Sequence, residues 1–207
     1  MIKRARILAM DGMQNLSDDQ RDADAELLQR YASGDAAAAR LLTARLVPRI
    51  HGHALRVLGD RAEAEDVAQE AMLRLWRQAP QWRAGEAKVT TWVYRVVANL
   101  CTDRLRRRGA GAAGLDDVAE PADPTPGVTQ KMQQAARVDA LQQALASLPD
   151  RQRQAVVLRH IDGMANPEIA EVLGIGVEAV ESLTARGKRA LAAQLSAQRD
   201  ALGFENE

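Results

Sequence analysis

One stretch of this sequence differs in composition from everything around it, and it divides the chain in two. Between Gly109 and Ala136 lie four glycines, three spaced prolines and four acidic side chains. Glycine and proline oppose helix formation and the stretch has few apolar groups to bury, so it predicts a flexible acidic linker of 28 residues. On either side we expect a domain, at 22–108 and at 137–196, with an N-terminal extension (1–21) and a C-terminal tail (197–207).

The residue types available on both sides of this linker favour helices over strands. Alanine accounts for 39 of the 207 residues, whereas tryptophan, tyrosine and phenylalanine together number six. Because sheets depend on aromatic and β-branched side chains, this composition argues against sandwiches and barrels. The sequence therefore predicts an all-α protein made of two small helical domains.

Charge balance and cysteine content exclude several other classes of protein. The 28 basic residues equal the 28 acidic ones, so a nucleic-acid-binding surface depends on how the charges are placed. Cys101 is the only cysteine, which rules out an internal disulfide, and His51, His53 and His160 form no zinc-binding pattern with it. The N-terminal apolar run ends at Asp11 and no stretch is long enough to span a membrane, so we expect a cytoplasmic protein.

Glycine and capping residues mark the helix boundaries of the first domain. Gly59 stops one helix, and Asp60 with Glu63 forms an Asp-x-x-Glu capping box that starts the next at Arg61. Residues 24–58 are consistent with one helix or two, with Pro48 as a kink. The other predicted helices are Arg61–Gln78 and Thr90–Arg108, separated by a loop from Pro80 to Lys88.

The second domain contains the pattern of a helix-turn-helix. The predicted helices are Arg137–Leu148, Arg151–Ile161, a short one with Asn166 as N-cap that ends at Gly174, and Val177–Gln198. Ala170 lets two helices cross closely, Gly174 makes the turn, and apolar side chains fill the wedge. These apolar side chains are Ile169, Leu173, Ile175 and Val180. An ordinary helical hairpin is the alternative; in a helix-turn-helix the last helix would enter the major groove of DNA.

Basic residues concentrate at the end of the first domain. From Lys88 to Arg108 six basic residues stand against one acidic residue, a net charge of +5 that suits phosphate binding. Polar positions recur on one edge of this helix at Arg95, Asn99, Asp103 and Arg106. The alternative is a solvated helix C-terminus, where the helix dipole favours cations in any case. Trp92 is expected in the core, whereas Trp82 is consistent with core packing or with stacking on an unpaired base.

Long motifs in both domains resemble those of one bacterial family. Region 2 of extracytoplasmic-function (ECF) sigma factors is similar to Asp60–Glu70, Leu73–Arg77, Thr91–Asn99 and Asp103–Arg107. Region 4 of the same family is similar to Leu148–Arg153, Glu168–Ile175 and Ala179–Leu183. The motifs stand in the family's order, and the linker between them is too short for the extra domain of primary sigma factors.

The resemblance implies roles for particular residues. It implies that the clamp helices of the polymerase β′ subunit are bound by Asp66, Gln69, Glu70 and Leu73. It implies that the −10 promoter element, with one flipped base, is bound by Trp82, Arg83, Lys88, Arg95, Asn99, Asp103, Arg106 and Arg107. It implies that the −35 element is read by Glu181, Ser182, Arg186, Lys188 and Arg189.

Two positions of the last helix depart from the family pattern. Glu181 stands where relatives often carry lysine, and it would repel phosphate but could accept a hydrogen bond from a cytosine amino group. Gly187 stands where alanine is usual, which costs about 1 kcal/mol in a helix interior.

The sequence thus predicts an alternative sigma factor that is not an enzyme and needs no cofactor or small-molecule substrate. Its implied partners are core RNA polymerase, through the β′ clamp helices and the β flap, promoter DNA, and an anti-sigma factor. The alternative is a helix-turn-helix regulator that binds DNA without touching core polymerase. A catalytic or metal-binding helical protein is disfavoured because no set of histidine, cysteine and carboxylate residues converges on one segment.

Overall fold

The structure is a computed structural model that describes residues 23–83, 85, 87–111 and 129–197. The predicted extension, the acidic residues of the linker and the tail beyond Ala197 lie outside this part. Within it every regular element is helical, which confirms the all-α prediction. The elements are α1 (23–32), α2 (Ala36–Leu58), α3 (Arg61–Gln78), a 3-10 turn (Ala79–Gln81), α4 (Val89–Gly111), α5 (Thr129–Ala146), α6 (Asp150–Val156) with a π turn (Val157–Ile161), α7 (Asn166–Leu173) and α8 (Val177–Ala197).

The first domain is built by α1 to α4 around an apolar core. Asp35 starts α2 by accepting from the amides of Ala37 and Ala38, at 2.8 and 3.2 Å. Gly59 ends α2 with φ 71°, and the Asp60 carboxylate accepts from the Glu63 amide at 2.8 Å to start α3. These boundaries are the predicted ones. The 24–58 segment forms two helices, and α2 runs through Pro48 to Leu58. The largest fully buried side chains here are Leu28, Leu42, Leu46, Ile50, Leu75 and Tyr94.

The second domain is built by α5 to α8. Ile169 and Val180 are fully buried between α7 and α8, and Gly174 makes the turn with φ 63°, as the helix-turn-helix pattern predicts. The predicted single helix 151–161 instead ends in a π turn, in which the Asp162 amide donates to the Val157 carbonyl at 2.9 Å. This wider turn, which periodicity does not reveal, sets the position of Asp162.

Helix boundaries near the predicted linker and at α7 differ from expectation. Helix α4 continues to Gly111 and α5 already begins at Thr129, so part of the 109–136 segment is helical at each end. Alanine and glutamine between 129 and 136 are good helix formers, and they outweigh the nearby glycine and proline. At α7 the N-cap is Ala165 rather than Asn166, and the Glu168 carboxylate accepts from the Ala165 amide at 3.0 Å.

The two domains pack against each other in one continuous core. Helix α7 lies against α4, and α5 and α6 lie against α2. The Arg153 guanidinium, 7% exposed, donates to the Val57 carbonyl at the end of α2 at 2.7 Å. His53 on α2 is fully buried, and its Nδ1 lies 2.6 Å from the carboxylate of Asp162.

Candidate functional site

The predicted polymerase-binding residues form one exposed face of α3. On the opposite face Ala64, Ala68 and Ala71 are buried in the core, which turns the remaining side chains outwards. Asp66 is 70% exposed, and it lies 4.0 Å from Arg104, whereas Glu70 pairs with Arg74 on the same helix at 2.8 Å. Gln69 is exposed and Leu73 is 42% exposed. The face therefore presents carboxylates, an amide and an apolar side chain together.

The basic run at the end of α4 is partly neutralised by α3. Arg108 donates to the Glu63 carboxylate at 3.1 Å and to the Leu58 carbonyl at 2.8 Å. Arg104 lies 3.9 Å from Glu63. These two arginines therefore tie α4 to the α2–α3 corner, so part of the basic charge counted in the sequence is paired within the first domain. Arg106 pairs with Asp103 at 3.0 Å, and Arg107 is exposed.

The loop before α4 places its aromatic residues against each other. Trp82 and Trp92 are half-buried with ring centroids 6.1 Å apart in an edge-to-face arrangement. The Trp82 Nε1 is buried and has no hydrogen-bond partner in the described part of the chain. Both tryptophans thus pack on the core, and Trp82 does so at its edge. Arg83 is exposed.

Three of the predicted −10 residues lie next to the second domain, although Arg95 and Asn99 remain exposed to solvent. The Arg95 guanidinium donates through Nε and Nη2 to the Glu171 carbonyl, at 2.9 and 2.5 Å. Lys88 forms an ion pair with Glu168. Asn99 is exposed but lines a small cleft of about 130 Å³ between α4, α6 and α7. No pattern within either domain predicts these contacts.

The predicted −35 residues lie on the exposed side of α8. Glu181, Ser182, Arg186 and Arg189 are all exposed. Arg186 and Arg189 donate to carbonyls of their own helix, of Ser182 at 3.2 Å and of Ala185 at 3.4 Å, so both side chains lie along α8. Glu181 lies 3.5 Å from the amide group of Asn166.

Lys188 is exposed on α8 and also borders an apolar groove that sequence reasoning missed. The groove, about 290 Å³ in volume, lies between α5, α6 and α8, with Leu141, Leu145, Val156 and Leu191 among its lining residues. His160 stands on its rim, and burial together with Lys188 and Arg159 lowers the pKa of this imidazole. The groove is therefore apolar inside and basic at its edge.

The residues that the structure describes form neither a metal-binding cluster nor a reactive cysteine. Among them no cluster of histidine, cysteine, aspartate and glutamate could hold a metal ion. Burial raises the pKa of the Cys101 thiol to about 12, which leaves it a weak nucleophile. No helix in the described ranges is long and apolar enough to cross a membrane.

Comparison with known proteins identifies the same two regions. The family model of sigma-70 region 2 matches residues 42–111, and that of sigma-70 region 4 matches residues 139–191. The chain is 37% identical over 171 residues to the ECF RNA polymerase sigma factor SigM of Mycobacterium tuberculosis, covering 82% of this chain and 83% of that protein. It is 34% identical over 160 residues to the ECF RNA polymerase sigma factor SigW of Bacillus subtilis, covering 71% of this chain and 83% of that protein.

Solved structures share the arrangement of helices. CnrH, in complex with the cytosolic domain of CnrY, is similar with a TM-score of 0.65 and 26% identity, covering 84% of this chain and 98% of that one. RpoE of Bartonella quintana, in complex with the anti-sigma factor NepR, is similar in fold with a TM-score of 0.61 and 20% identity, covering 77% of this chain and 98% of that one. Since both regions match in order and the identity to SigM extends over most of both chains, this protein belongs to the extracytoplasmic-function family of RNA polymerase sigma factors.

Proposed function

We propose that the three surfaces described above divide the work of promoter-specific transcription initiation. The α3 face binds the β′ clamp helices of core RNA polymerase, α4 and its loop bind the −10 element, and α8 reads the −35 element. The observation that carries this proposal is the outward face of α3, which presents Asp66, Gln69, Glu70 and Leu73 together. The opposite side of the same helix is buried in the core. This face distinguishes a sigma factor from a regulator that binds DNA alone.

The composition of the α3 face suits a protein partner rather than DNA. Two carboxylates would repel phosphate, whereas they can pair with cations on a partner, and an exposed leucine beside them adds apolar contact. Asp66 is available for such a pair because its side chain is 70% exposed and its ion pair with Arg104 is long, at 4.0 Å. Glu70 would exchange its intrahelical partner Arg74 for one on polymerase.

The positions of the cations support the proposed DNA-binding roles. Arg186 and Arg189 are exposed on the second helix of the helix-turn-helix, the element that enters the major groove. Arg95, Asn99, Arg106 and Arg107 lie along α4 with the aromatic pair Trp82 and Trp92 at its start. Such a mixture of cations, an amide and aromatic rings suits a single strand with exposed bases.

Two further partners belong to this proposal. We assign the β flap of polymerase to the second domain, whose apolar groove offers a surface for an apolar helix. We also propose that an anti-sigma factor holds the protein inactive until a signal arrives, since RpoE of Bartonella quintana is bound by the anti-sigma factor NepR. The protein would act in the cytoplasm, where polymerase is found, without enzymatic activity of its own.

Co-elution with core polymerase tests the proposal. The double variant Asp66→Arg and Glu70→Arg reverses both charges of the α3 face, and we expect it to abolish co-elution while the helix signal in circular dichroism stays unchanged. Interface carboxylates that lose their partners typically cost 2–5 kcal/mol, roughly a thirtyfold or greater loss of affinity. Arg61→Glu is the control, because this residue lies on the same helix with its side chain 83% exposed but outside the proposed face. Normal co-elution of the double variant would refute the assignment.

A further inference from the structure

The apolar groove of the second domain is filled by no segment in the described part of the chain. In its lining Leu145 and Val156 are buried, whereas Leu141 on α5 and Leu191 on α8 keep part of their surface exposed. On α5 the same apolar stripe continues one turn earlier to Val138, which is 56% exposed. Apolar surface that stays open around a groove is typical of an interaction site.

One edge of this groove is basic. Lys188 borders it from α8 and is exposed, and His160 lines it from the π turn. The pKa of the His160 imidazole is lowered by burial and by the positive charges of Lys188 and Arg159, so these groups lie near one another. A ligand of the groove should therefore combine large apolar side chains with negative charge.

The segment that follows α8, residues 198–207, has this composition and lies outside the described part of the chain. It carries Leu202, Phe204 and three acidic residues against one basic residue, and Phe204 is the only phenylalanine in the sequence. The N-terminal extension is also partly apolar, but three of its first six residues are basic, and the edge of the groove would repel them. The predicted acidic linker contains no aromatic residue. Composition thus favours residues 198–207 over the other two segments.

This segment is long enough to reach the groove. Leu191 and Lys188 lie six and nine residues before Ala197 on α8, which is about 9 and 14 Å along the helix at 1.5 Å per residue. Phe204 follows Ala197 by seven residues, and a flexible chain of that length has an end-to-end distance of about 15 Å. The effective concentration of a tethered ligand is highest when these two lengths match, and it reaches the millimolar range for a short tether. A weak contact is therefore enough to occupy the groove.

We propose that residues 198–207 are an internal ligand of the apolar groove, with Leu202 and Phe204 on its apolar lining and the acidic side chains after Phe204 facing Lys188. The proposed function gives the same groove to the β flap of polymerase. The segment would then compete with the flap and would leave the groove when the second domain binds polymerase. This competition rests on the proposed function, whereas occupation of the groove in the free chain does not.

Photocrosslinking within the full chain tests whether the groove is occupied. Phe204 is replaced by p-benzoylphenylalanine, a photoreactive derivative that keeps an aromatic ring at this position. Illumination of the dilute protein should give a crosslink within one molecule to Leu141 or Leu191, identified by mass spectrometry. Crosslinked dimers would assign the groove to a second copy of the chain and overturn the proposal. Crosslinks to other surfaces, or none, would overturn it as well.

Reversal of charge tests the assigned contact with Lys188. Lys188→Glu should lower the crosslink yield by roughly two- to fivefold, the range of an exposed ion pair, and adding Glu205→Lys and Glu207→Lys should restore it. Arg189→Glu is the matched control, because it makes the same change of charge at the next residue of α8, which does not line the groove. An equal loss of yield for Lys188→Glu and Arg189→Glu would overturn the assigned contact.

Affinity for core polymerase tests the competition with the flap. Phe204→Ala removes the aromatic anchor and should bind core polymerase at least about fivefold more tightly, the lower end of typical coupling between two ligands. Asn206→Ala is the control, because it changes an uncharged residue of the same segment, and its affinity should stay unchanged. Unchanged affinity of Phe204→Ala, with the groove crosslink present, would overturn the competition. The crosslink is measured without polymerase, so a failure of the proposed polymerase surfaces leaves it interpretable.

Discussion

At Gly187 the structure reverses the interpretation that the sequence favours. From the sequence alone, glycine in place of alanine in a helix interior is expected to destabilise the helix slightly. In the structure a Cβ at this position would lie 2.5 Å from the Val156 Cγ2 and 3.4 Å from the Gln152 carbonyl oxygen. Glycine therefore permits the close approach of α8 to α6, which is the contact that orients the helix-turn-helix.

Gly187→Ala should consequently destabilise the protein despite its better helix propensity. We expect a loss of about 1–3 kcal/mol in the free energy of unfolding, typical of overpacking, measured by urea denaturation. Gly109→Ala is the control, since a Cβ there meets nothing within 4 Å, and it should be neutral or stabilising by up to about 1 kcal/mol. Equal stability of Gly187→Ala and the unsubstituted chain would show that α6 and α8 can shift to accommodate the added methyl group at little cost in free energy.

At the scale of elements, local sequence chemistry predicted most of what the structure contains. The glycine stop at Gly59, the Asp60 cap and the αL glycine at Gly174 act through their own backbone neighbours, so a single sequence reveals them. The π turn after Val156 and the early start of α5 at Thr129 were missed. Their causes are tertiary contacts and mild propensities, which carry no distinctive residue pattern.

Helix α8 carries the clearest element-level prediction for DNA binding. Arg186 is exposed, and within the described part of the chain it is held only by a carbonyl of its own helix, so we propose that it contacts phosphate or base. Arg186→Ala should weaken binding to a duplex of random sequence and make the slope of log K against log salt shallower by about 0.9, the value of one phosphate contact.

Fluorescence anisotropy at several salt concentrations measures this slope. Arg61→Ala serves as the comparison, because it removes an equally exposed arginine from α3, outside the proposed DNA surfaces. If Arg186→Ala and Arg61→Ala gave the same slope, Arg186 would not belong to the DNA-binding surface.

At the scale of the whole molecule, the sequence predicted two domains but not their contact. His53, Arg153 and Leu173 each look like ordinary residues of their own domain, and their partners lie about a hundred positions away or are backbone carbonyls. Such pairings leave no periodic signal. The roles assigned to the candidate site residues stay predictions, and the contacts of Arg95 and Lys88 with α7 emerged only from the fold.

Linker length should limit how the two domains share one promoter. Between Gly111 and Thr129 lie 17 residues, a length that can span at most about 58 Å at roughly 3.4 Å each, somewhat less than about 70 Å for two turns of duplex. Deleting ten of them should abolish transcription from a promoter with both elements while core polymerase is still bound. Run-off transcription measures this effect.

A replacement of equal length separates the effect of linker length from the effect of linker composition. Replacing the same ten residues by glycine and serine should preserve transcription. If the deletion also preserved it, the spanning role of the linker would be wrong.

The most direct test of the account is transcription reconstituted from purified core polymerase, this chain and fragmented DNA from the same bacterium, with mapping of transcript start sites. We expect transcripts that depend on the chain, need no added signal, and start downstream of two shared short motifs about two helical turns apart. The double variant Asp66→Arg and Glu70→Arg should produce none of them. Start sites that are identical with and without the chain, or that share no upstream motifs, would contradict its assignment as a promoter-reading subunit.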